Sequence, residues 1–335
     1  MSQPLLFALQ ASREYGARVA AHLGIDLGAH EERAFEDGEF KIRPLQSVRG
    51  RHVFVLTSLY SDPDLSVNDK LLRLLMFTGA LRDASAREIS LILPYLAYAR
   101  KDRRTKSRDP LSLRYLAEMI EAVGADRVVC FEVHNPAAYE NAFRRVAEHL
   151  KATSVFLRPL LPELRSESVA VVSPDAGGYK RAQDFREQLA RALSKEASEV
   201  ELAFVEKKRS AGELTHGRLV GSVTKGTVII IDDLIVTGRT LVHAARACKA
   251  QGASRVLALA THGVFHPSAD QILADPALDR IVVTDTVPPW RIQGDQVKNK
   301  LTVLSATDLT ARAIKAIHTH GSLTRLMEEI VESDM

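Results

Sequence analysis

One junction recurs along this chain: a helix-period segment closes on a glycine or another small residue, and a short unbroken apolar run follows. Gly124-Ala125-Asp126-Arg127 leads into Val128-Val129-Cys130-Phe131, and Gly252-Ala253-Ser254-Arg255 leads into Val256-Leu257-Ala258-Leu259. A residue free to turn left-handed past a helix end, then a run apolar on both faces, marks the passage from a helix into a buried strand. Similar runs cover 52–56, 89–93, 169–172, 227–231 and 281–283, with helices expected at about 69–82, 111–123, 179–193 and 240–251. Strands alternating with helices predict parallel sheets built from right-handed βαβ units. The two matched junctions fall in opposite halves, which points to two copies of one α/β module. Arg158-Pro159-Leu160-Leu161-Pro162 marks a soft boundary, giving expected domains of 1–157 and 158–335. The polar stretches 193–200 and 207–215 read as surface connections.

Composition narrows what such a protein does. A length of 335 residues holds two domains of roughly 100–200 residues each. With 46% hydrophobic and 26% charged residues, the chain has enough apolar surface to fold, and a disordered architecture is a poor fit. Lys and Arg total 45 against 42 Asp and Glu, a net +3 that is too balanced for a nucleic-acid coat. No apolar run approaches the ~18–20 residues that span a bilayer. The first residues lack the charged and apolar regions of a secretory signal. The expectation is a cytoplasmic protein with neither a membrane nor a nucleic-acid partner. Cys130 and Cys248 are isolated, so no disulfide framework or zinc site is indicated.

In open α/β sheets, ligands gather beyond the carboxyl ends of the strands. After the 227–231 run comes Asp232-Asp233-Leu234-Ile235-Val236-Thr237-Gly238-Arg239-Thr240, then a helix. The two carboxylates suit ribose hydroxyls, and the turn N–H groups, Thr237, Thr240 and the helix dipole suit a phosphate. The plainer reading is a polar loop with Thr237 or Thr240 as N-cap. The acid pair beside the turn favours the ribose-phosphate reading. After 169–172 comes Ser173-Pro174-Asp175-Ala176-Gly177-Gly178, where a carboxylate beside a Gly-Gly turn suits hydrated Mg2+ or a sugar hydroxyl, or simply closes an Asx turn. His134 follows the run that begins at Val128; a lone histidine there is more often a structural group than a ligand. Cations cluster at Arg100, Lys101, Arg103, Arg104 and Lys106, and again at Lys207, Lys208 and Arg209. Either group is an ordinary solvated loop taken singly; at strand ends both suit a polyphosphate.

Together these residues resemble the ribose-phosphate pyrophosphokinases over nearly the whole chain. The similarity includes Phe35-Glu36-Asp37-Gly38-Glu39, the Pro94-to-Arg103 segment with its Pro-Tyr-x-x-Tyr-Ala-Arg pattern, Val172 to Gly178, Lys207 to Arg209, and Asp232 to Thr240. The last of these is shared with the phosphoribosyltransferases; the first two separate the families. The resemblance implies two Rossmann-like, type I phosphoribosyltransferase-like domains with parallel central sheets. It implies hexamers built from dimers, Mg2+, a place in nucleotide biosynthesis, and transfer of the β,γ-diphosphoryl group of ATP to O1 of ribose 5-phosphate. By position, Phe35, Asp37 and Glu39 contact adenine from a neighbouring subunit, and Arg100, Lys101 and Asp102 contact ATP. His134 and Asp175 belong to the Mg2+–ATP shell, and Lys207 and Arg209 are the catalytic cations. Asp175, Asp232, Asp233, Thr237, Gly238, Arg239 and Thr240 hold the ribose phosphate. Where the family carries Asp-Thr-Gly-Gly-Thr, this chain has Val236-Thr237-Gly238-Arg239-Thr240, so an altered ribose-phosphate acceptor and a non-catalytic regulatory subunit stand as alternatives.

Overall fold

The computed structural model describes residues 3–210, 213–223 and 225–332, with the side chains of 207–217 and 328–332 outside that description. The chain forms two compact units, residues 1–151 with 306–327 and residues 152–305 with 328–335. The division expected at 157/158 falls at 151/152, and the segment from 306 returns to the first unit.

The first unit contains β1 (Leu5–Ala8), α1 (Arg13–Leu23), β2 (His30–Ala34), β3 (Phe40–Pro44), β4 (His52–Leu56), α2 (Val67–Asp83), β5 (Glu88–Leu93), α3 (Ser112–Ala122), β6 (Arg127–Phe131), α4 (Pro136–Ala142) and β7 (Val146–Leu150). Its five-stranded parallel sheet runs β1-β4-β5-β6-β7, in chain order throughout. Every residue of β4 is buried, because helices cover both faces of such a sheet. Local chemistry sets the helix starts. Ser66 and Asp69 form a reciprocal capping box on α2, with Ser66 Oγ accepting the Asp69 N–H at 3.2 Å and Asp69 Oδ2 accepting the Ser66 N–H at 2.9 Å. The short β2–β3 ribbon stands apart from the sheet and is held to α2 by Arg73, which lies 3.5 Å from Glu32 Oε2 and 4.5 Å over the Phe40 ring.

The second unit contains α5 (Thr153–Leu164), β8 (Val169–Ser173), α6 (Tyr179–Ala192), β9 (Glu201–Ser210), β10 (Glu213–Val220), β11 (Thr227–Ile235), α7 (Arg239–Ala250), β12 (Arg255–Gly263), α8 (Ala269–Leu273), β13 (Arg280–Thr284), α9 (Asp295–Lys298) and β14 (Leu301–Leu304). Its seven-stranded sheet has the order β10-β9-β8-β11-β12-β13-β14, parallel except for the β9–β10 hairpin. After it, α10 (Thr307–His318) packs on α1, where Tyr15 and Thr310 share a 2.7 Å hydroxyl hydrogen bond, and α11 (Leu323–Glu332) follows.

The two matched junctions behave alike: Gly124 after α3 has φ +98° and Gly252 after α7 has φ +100°, each turning the chain into the next strand. Three expectations change. The stretch 207–215 falls on the β9–β10 hairpin rather than in a connection, except for residues 211 and 212, which lie outside the described residues. An edge hairpin draws its backbone partners from the sheet, so a polar sequence suffices. The Pro-rich boundary lies inside α5, whose prolines 159 and 162 sit on the exposed side while Phe156, Leu157, Leu160 and Leu164 are buried. The strand expected to end at residue 231 continues to Ile235, because β12 keeps pairing with it as far as Ile235 opposite Gly263.

Candidate active site

In the second unit the strand order reverses beside β8, with β9 and β10 on one side and β11 to β14 on the other. Loops leaving the carboxyl ends of β8 and β11 therefore diverge and open a crevice, the usual ligand position in a sheet of this kind. Below β8, the Ser173 hydroxyl donates to the Asp175 carbonyl at 2.6 Å, and Asp175 Oδ1 accepts the Gly178 N–H at 3.1 Å. A Cβ at Gly178 would lie 2.7 Å from Ser173 Oγ, so glycine alone closes this turn.

Asp232 and Asp233 belong to the last part of β11. Pairing with β8 ends at Ile230 opposite Val172, while pairing with β12 continues, so the acids overhang the crevice on a rigid strand rather than a loop. Asp233 is only 3% exposed. Arg181, in the first turn of α6, places Nη1 3.4 Å from Oδ1 of each carboxylate. Burial, reinforced by the neighbouring Asp233 charge and opposed by Arg181, pushes the Asp232 carboxyl up to about 8. Near neutral pH the pair thus holds a proton, and can donate as well as accept hydrogen bonds.

The following turn is built around Gly238, the N-cap of α7, at φ +80°. A Cβ there would sit 2.3 Å from Leu273 Cδ2 on α8. The N-cap falls on neither threonine, and Gly238 itself has no side chain to cap α7, so apart from the long Thr237 contact the first turn keeps N–H groups suited to an anion. Thr237 Oγ1 accepts the Arg239 N–H at 3.4 Å, Thr240 is half-buried in the first turn and Arg239 is exposed. The segment after β12 props the turn from behind: Phe265 N–H donates to the Ile235 carbonyl at 3.0 Å and His266 N–H to the Val236 carbonyl at 2.8 Å. Lys207 and Arg209 lie on β9, next to β8, with the Arg209 backbone opposite Leu214; their side chains lie outside the described ones.

In the first unit the expected residues occupy three places. Phe35, Asp37 and Glu39 form the exposed tip of the β2–β3 hairpin, closed by Phe35 N–H to the Glu39 carbonyl at 2.8 Å and by Asp37 Oδ1 accepting the Glu39 N–H at 3.0 Å. Phe35 is 41% exposed, with the Arg33 guanidinium 5.4 Å over its ring. Arg100, Lys101 and Asp102 follow β5. Lys101 Nζ is held 2.6 Å from Asp109 Oδ2, and that hydrogen bond, with those from Thr105 and Lys106, keeps the Asp109 carboxyl well below the usual carboxylate range. Lys101 thus braces the loop, while Arg100 is exposed. His134 follows β6, where Glu132 at φ +33° ends the strand and turns the chain outward.

Two residues outside the expected set join these parts. Asn135 donates from Nδ2 to Asp102 Oδ2 at 2.7 Å while its Oδ1 caps α4, tying the loop after β5 to the His134 turn. Arg181 does the equivalent for the acid pair. The Asn-Pro start of α4 was a readable signal for the first; nothing local marks the second. Among the described residues, no three His, Cys, Asp or Glu side chains form a ready metal cage, and no helix is long and apolar enough to cross a membrane.

Comparison with known proteins agrees with this architecture. A family model described as the N-terminal domain of ribose phosphate pyrophosphokinase matches residues 5–124, and one described as a phosphoribosyl synthetase-associated domain matches residues 194–328. The ribose-phosphate pyrophosphokinase of Haemophilus ducreyi is 36% identical over 327 residues, covering 96% of this chain and 98% of the relative. Ribose-phosphate pyrophosphokinase 1 of Streptococcus pyogenes is 35% identical over 332 residues, covering 96% and 97%. The crystal structure of phosphoribosylpyrophosphate synthetase from Mycobacterium smegmatis superposes with a TM-score of 0.83 at 35% identity, covering 96% of this chain and all of that one.

Proposed function

Because the chain belongs to the ribose-phosphate pyrophosphokinase family, we propose that its two units carry out one reaction, transfer of the β,γ-diphosphoryl group of ATP to O1 of ribose 5-phosphate. The products are phosphoribosyl diphosphate and AMP. The observation that carries this reading is the crevice beside β8, where the acid pair at the end of β11, bridged by Arg181, leads straight into the Gly238 turn at the start of α7. The first turn of α7, with Thr237, Gly238 and Thr240, binds the 5-phosphate. Asp232 and Asp233 hydrogen-bond the ribose hydroxyls and orient the anomeric oxygen. That oxygen attacks the β-phosphorus in line, the bond to the α-phosphate oxygen breaks, AMP leaves and the hydroxyl proton passes to solvent. Little covalent chemistry is asked of the protein, so positioning and charge stabilisation dominate.

Phe35, Asp37 and Glu39, on an exposed hairpin tip, serve the adenine of a neighbouring subunit in a hexamer built from dimers. Arg100, Asp102 and His134 serve the nucleotide phosphates; Lys101 acts through the loop it braces. Lys207 and Arg209 stabilise the transferring group. Mg2+ keeps most of its waters and usually takes only one or two carboxylates plus substrate phosphates. The lack of a three-residue cage among the described residues, with Asp175 anchored through Oδ1 at the crevice, fits a cation that arrives with ATP. Bound at the crevice, Mg2+ would neutralise the polyphosphate, with Asp175 as the carboxylate that holds it. The setting is cytoplasmic.

The test is an assay with ribose 5-phosphate and Mg-ATP that counts AMP and phosphoribosyl diphosphate. Equal release of both is expected; a folded protein that binds ATP yet releases no AMP overturns the reading. A second reading changes only the acceptor. It rests on the exposed Arg239 in the phosphate turn, whose guanidinium suits a further anionic substituent. A panel of ribose phosphates decides, and clear preference for ribose 5-phosphate ends it.

A further inference from the structure

Arg181 occupies a position that helix energetics disfavour. It is the third residue of α6, and a cation in a first turn faces the positive end of the helix dipole. Its guanidinium is nevertheless mostly buried, within 3.4 Å of both Asp232 and Asp233. The neighbouring turn packs directly on it: a Cβ at Gly178 would touch Arg181 Nη1 at an ordinary 3.5 Å, while pressing to 2.7 Å from Ser173 Oγ on β8. A helix start that accepts an unfavourable charge, and one nitrogen reaching two carboxylates on another element, converge on one role.

We infer that Arg181 is a positioning residue for the acceptor, holding the Asp232–Asp233 pair in the orientation and charge state that receives ribose hydroxyls. The inference rests on the proposed diphosphoryl transfer and adds to it. Two adjacent buried carboxylates without a cation bind protons more tightly and lose acceptor capacity. Because a single nitrogen, Nη1, reaches both oxygens, a lysine ammonium can take over part of the role, with a shorter and less fixed reach. Acting through the two acids, Arg181 should affect acceptor binding and acceptor choice.

The experiment compares the full-length protein with Arg181→Gln and Arg181→Lys. For Arg181→Gln, KM for ribose 5-phosphate should rise about tenfold or more, the scale of a lost charged hydrogen bond, while KM for ATP stays within about twofold. Preference for ribose 5-phosphate over 2-deoxyribose 5-phosphate should fall, and Arg181→Lys should recover most of both effects. Unchanged KM and unchanged preference in Arg181→Gln, or equal rises in both KM values, overturn the inference. If Arg181→Gln does not fold, Arg181→Lys alone decides: about a threefold rise in acceptor KM supports the inference, and none overturns it. Absence of turnover in the unaltered protein would instead strike the proposed reaction itself, so the two failures are distinguishable.

Discussion

The two sheets are built from the same βαβ grammar, yet only one reverses its strand order. In the first unit the strands follow one another from β1 to β7, so successive crossovers leave the carboxyl edge without a divergent pair of loops. In the second unit the reversal beside β8 creates such a pair, and the acids, the Asp175 turn and the glycine turn gather there. The first unit presents its chemistry on a hairpin tip and on loops tied by side chains such as Asn135 and Lys101. Winding order thus decides whether a site is a built crevice or an assembly of braced loops.

Two glycines put that contrast under the hardest test. Gly38, in the hairpin tip, has φ +90° with nothing within 4 Å of a built Cβ, whereas Gly238 has φ +80° and would drive a Cβ into Leu273. Gly38→Ala should therefore meet only conformational strain of about 1–2 kcal/mol, with a modest rise in KM for ATP. Gly238→Ala adds a collision with packed structure and displaces the phosphate turn. Loss of kcat/KM for ribose 5-phosphate on the order of a thousandfold is expected, since a 1 Å misplacement alone costs about a hundredfold. Similar losses in the two variants would mean that the crevice is no more tightly built than the hairpin tip.

The units should also respond to pH in opposite directions. His52 is buried against Phe54, with its ring 4.2 Å away, and burial, then the nearby His318, Arg127 and Arg87, push its pKa down to about 4. Unfolding lets it take up a proton, so the first unit loses stability as pH falls from about 6.5 to about 4, by up to about 3 kcal/mol. Asp232 is the reverse case: its proton is held more tightly folded than unfolded, so the second unit loses stability as pH rises from about 4 to about 8. The single tryptophan, Trp290, lies in the second unit, so its fluorescence follows that unit while circular dichroism follows both. His52→Gln should flatten the acid limb. Asp232→Asn should flatten the alkaline limb in the Trp290 signal and weaken ribose 5-phosphate binding.

Much of this was legible in the sequence where the cause is local. Gly124 and Gly252 announce their left-handed turns, and the buried runs at 52–56 and 169–172 appear as β4 and β8. What escaped depends on partners distant in sequence. Asp232 and Asp233 lie within a strand because β12, some 28 residues later in register, keeps pairing with β11. The hairpin strand His30–Ala34 is almost wholly polar and carries no apolar period; α2 holds it through Arg73. Arg181 meets Asp232 across 51 residues of sequence, a contact no spacing rule predicts. In the site, residue types were readable, but the side chains that brace them were not.

The smallest effect expected concerns the tie between the two loops of the first unit. Asn135 has two separable duties: Oδ1 caps α4 by accepting the Ala138 N–H at 3.2 Å, and Nδ2 holds Asp102 at 2.7 Å. Asn135→Ala removes both, and should cost about 1 kcal/mol of stability for the cap. Asn135→Asp keeps a capping oxygen but sets a carboxylate against Asp102, so stability should stay close to that of the unaltered protein while the tether is lost. If Asp102 serves ATP, both variants should raise KM for ATP by about threefold to tenfold, less than the full worth of a charged hydrogen bond because Asp102 keeps its charge and loses only its tether. KM for ribose 5-phosphate should not move, since that site belongs to the other unit's crevice. A KM change in Asn135→Ala alone would assign the effect to the cap. A change shared by both variants and confined to ATP would show that a braced loop, without a crevice, positions a substrate.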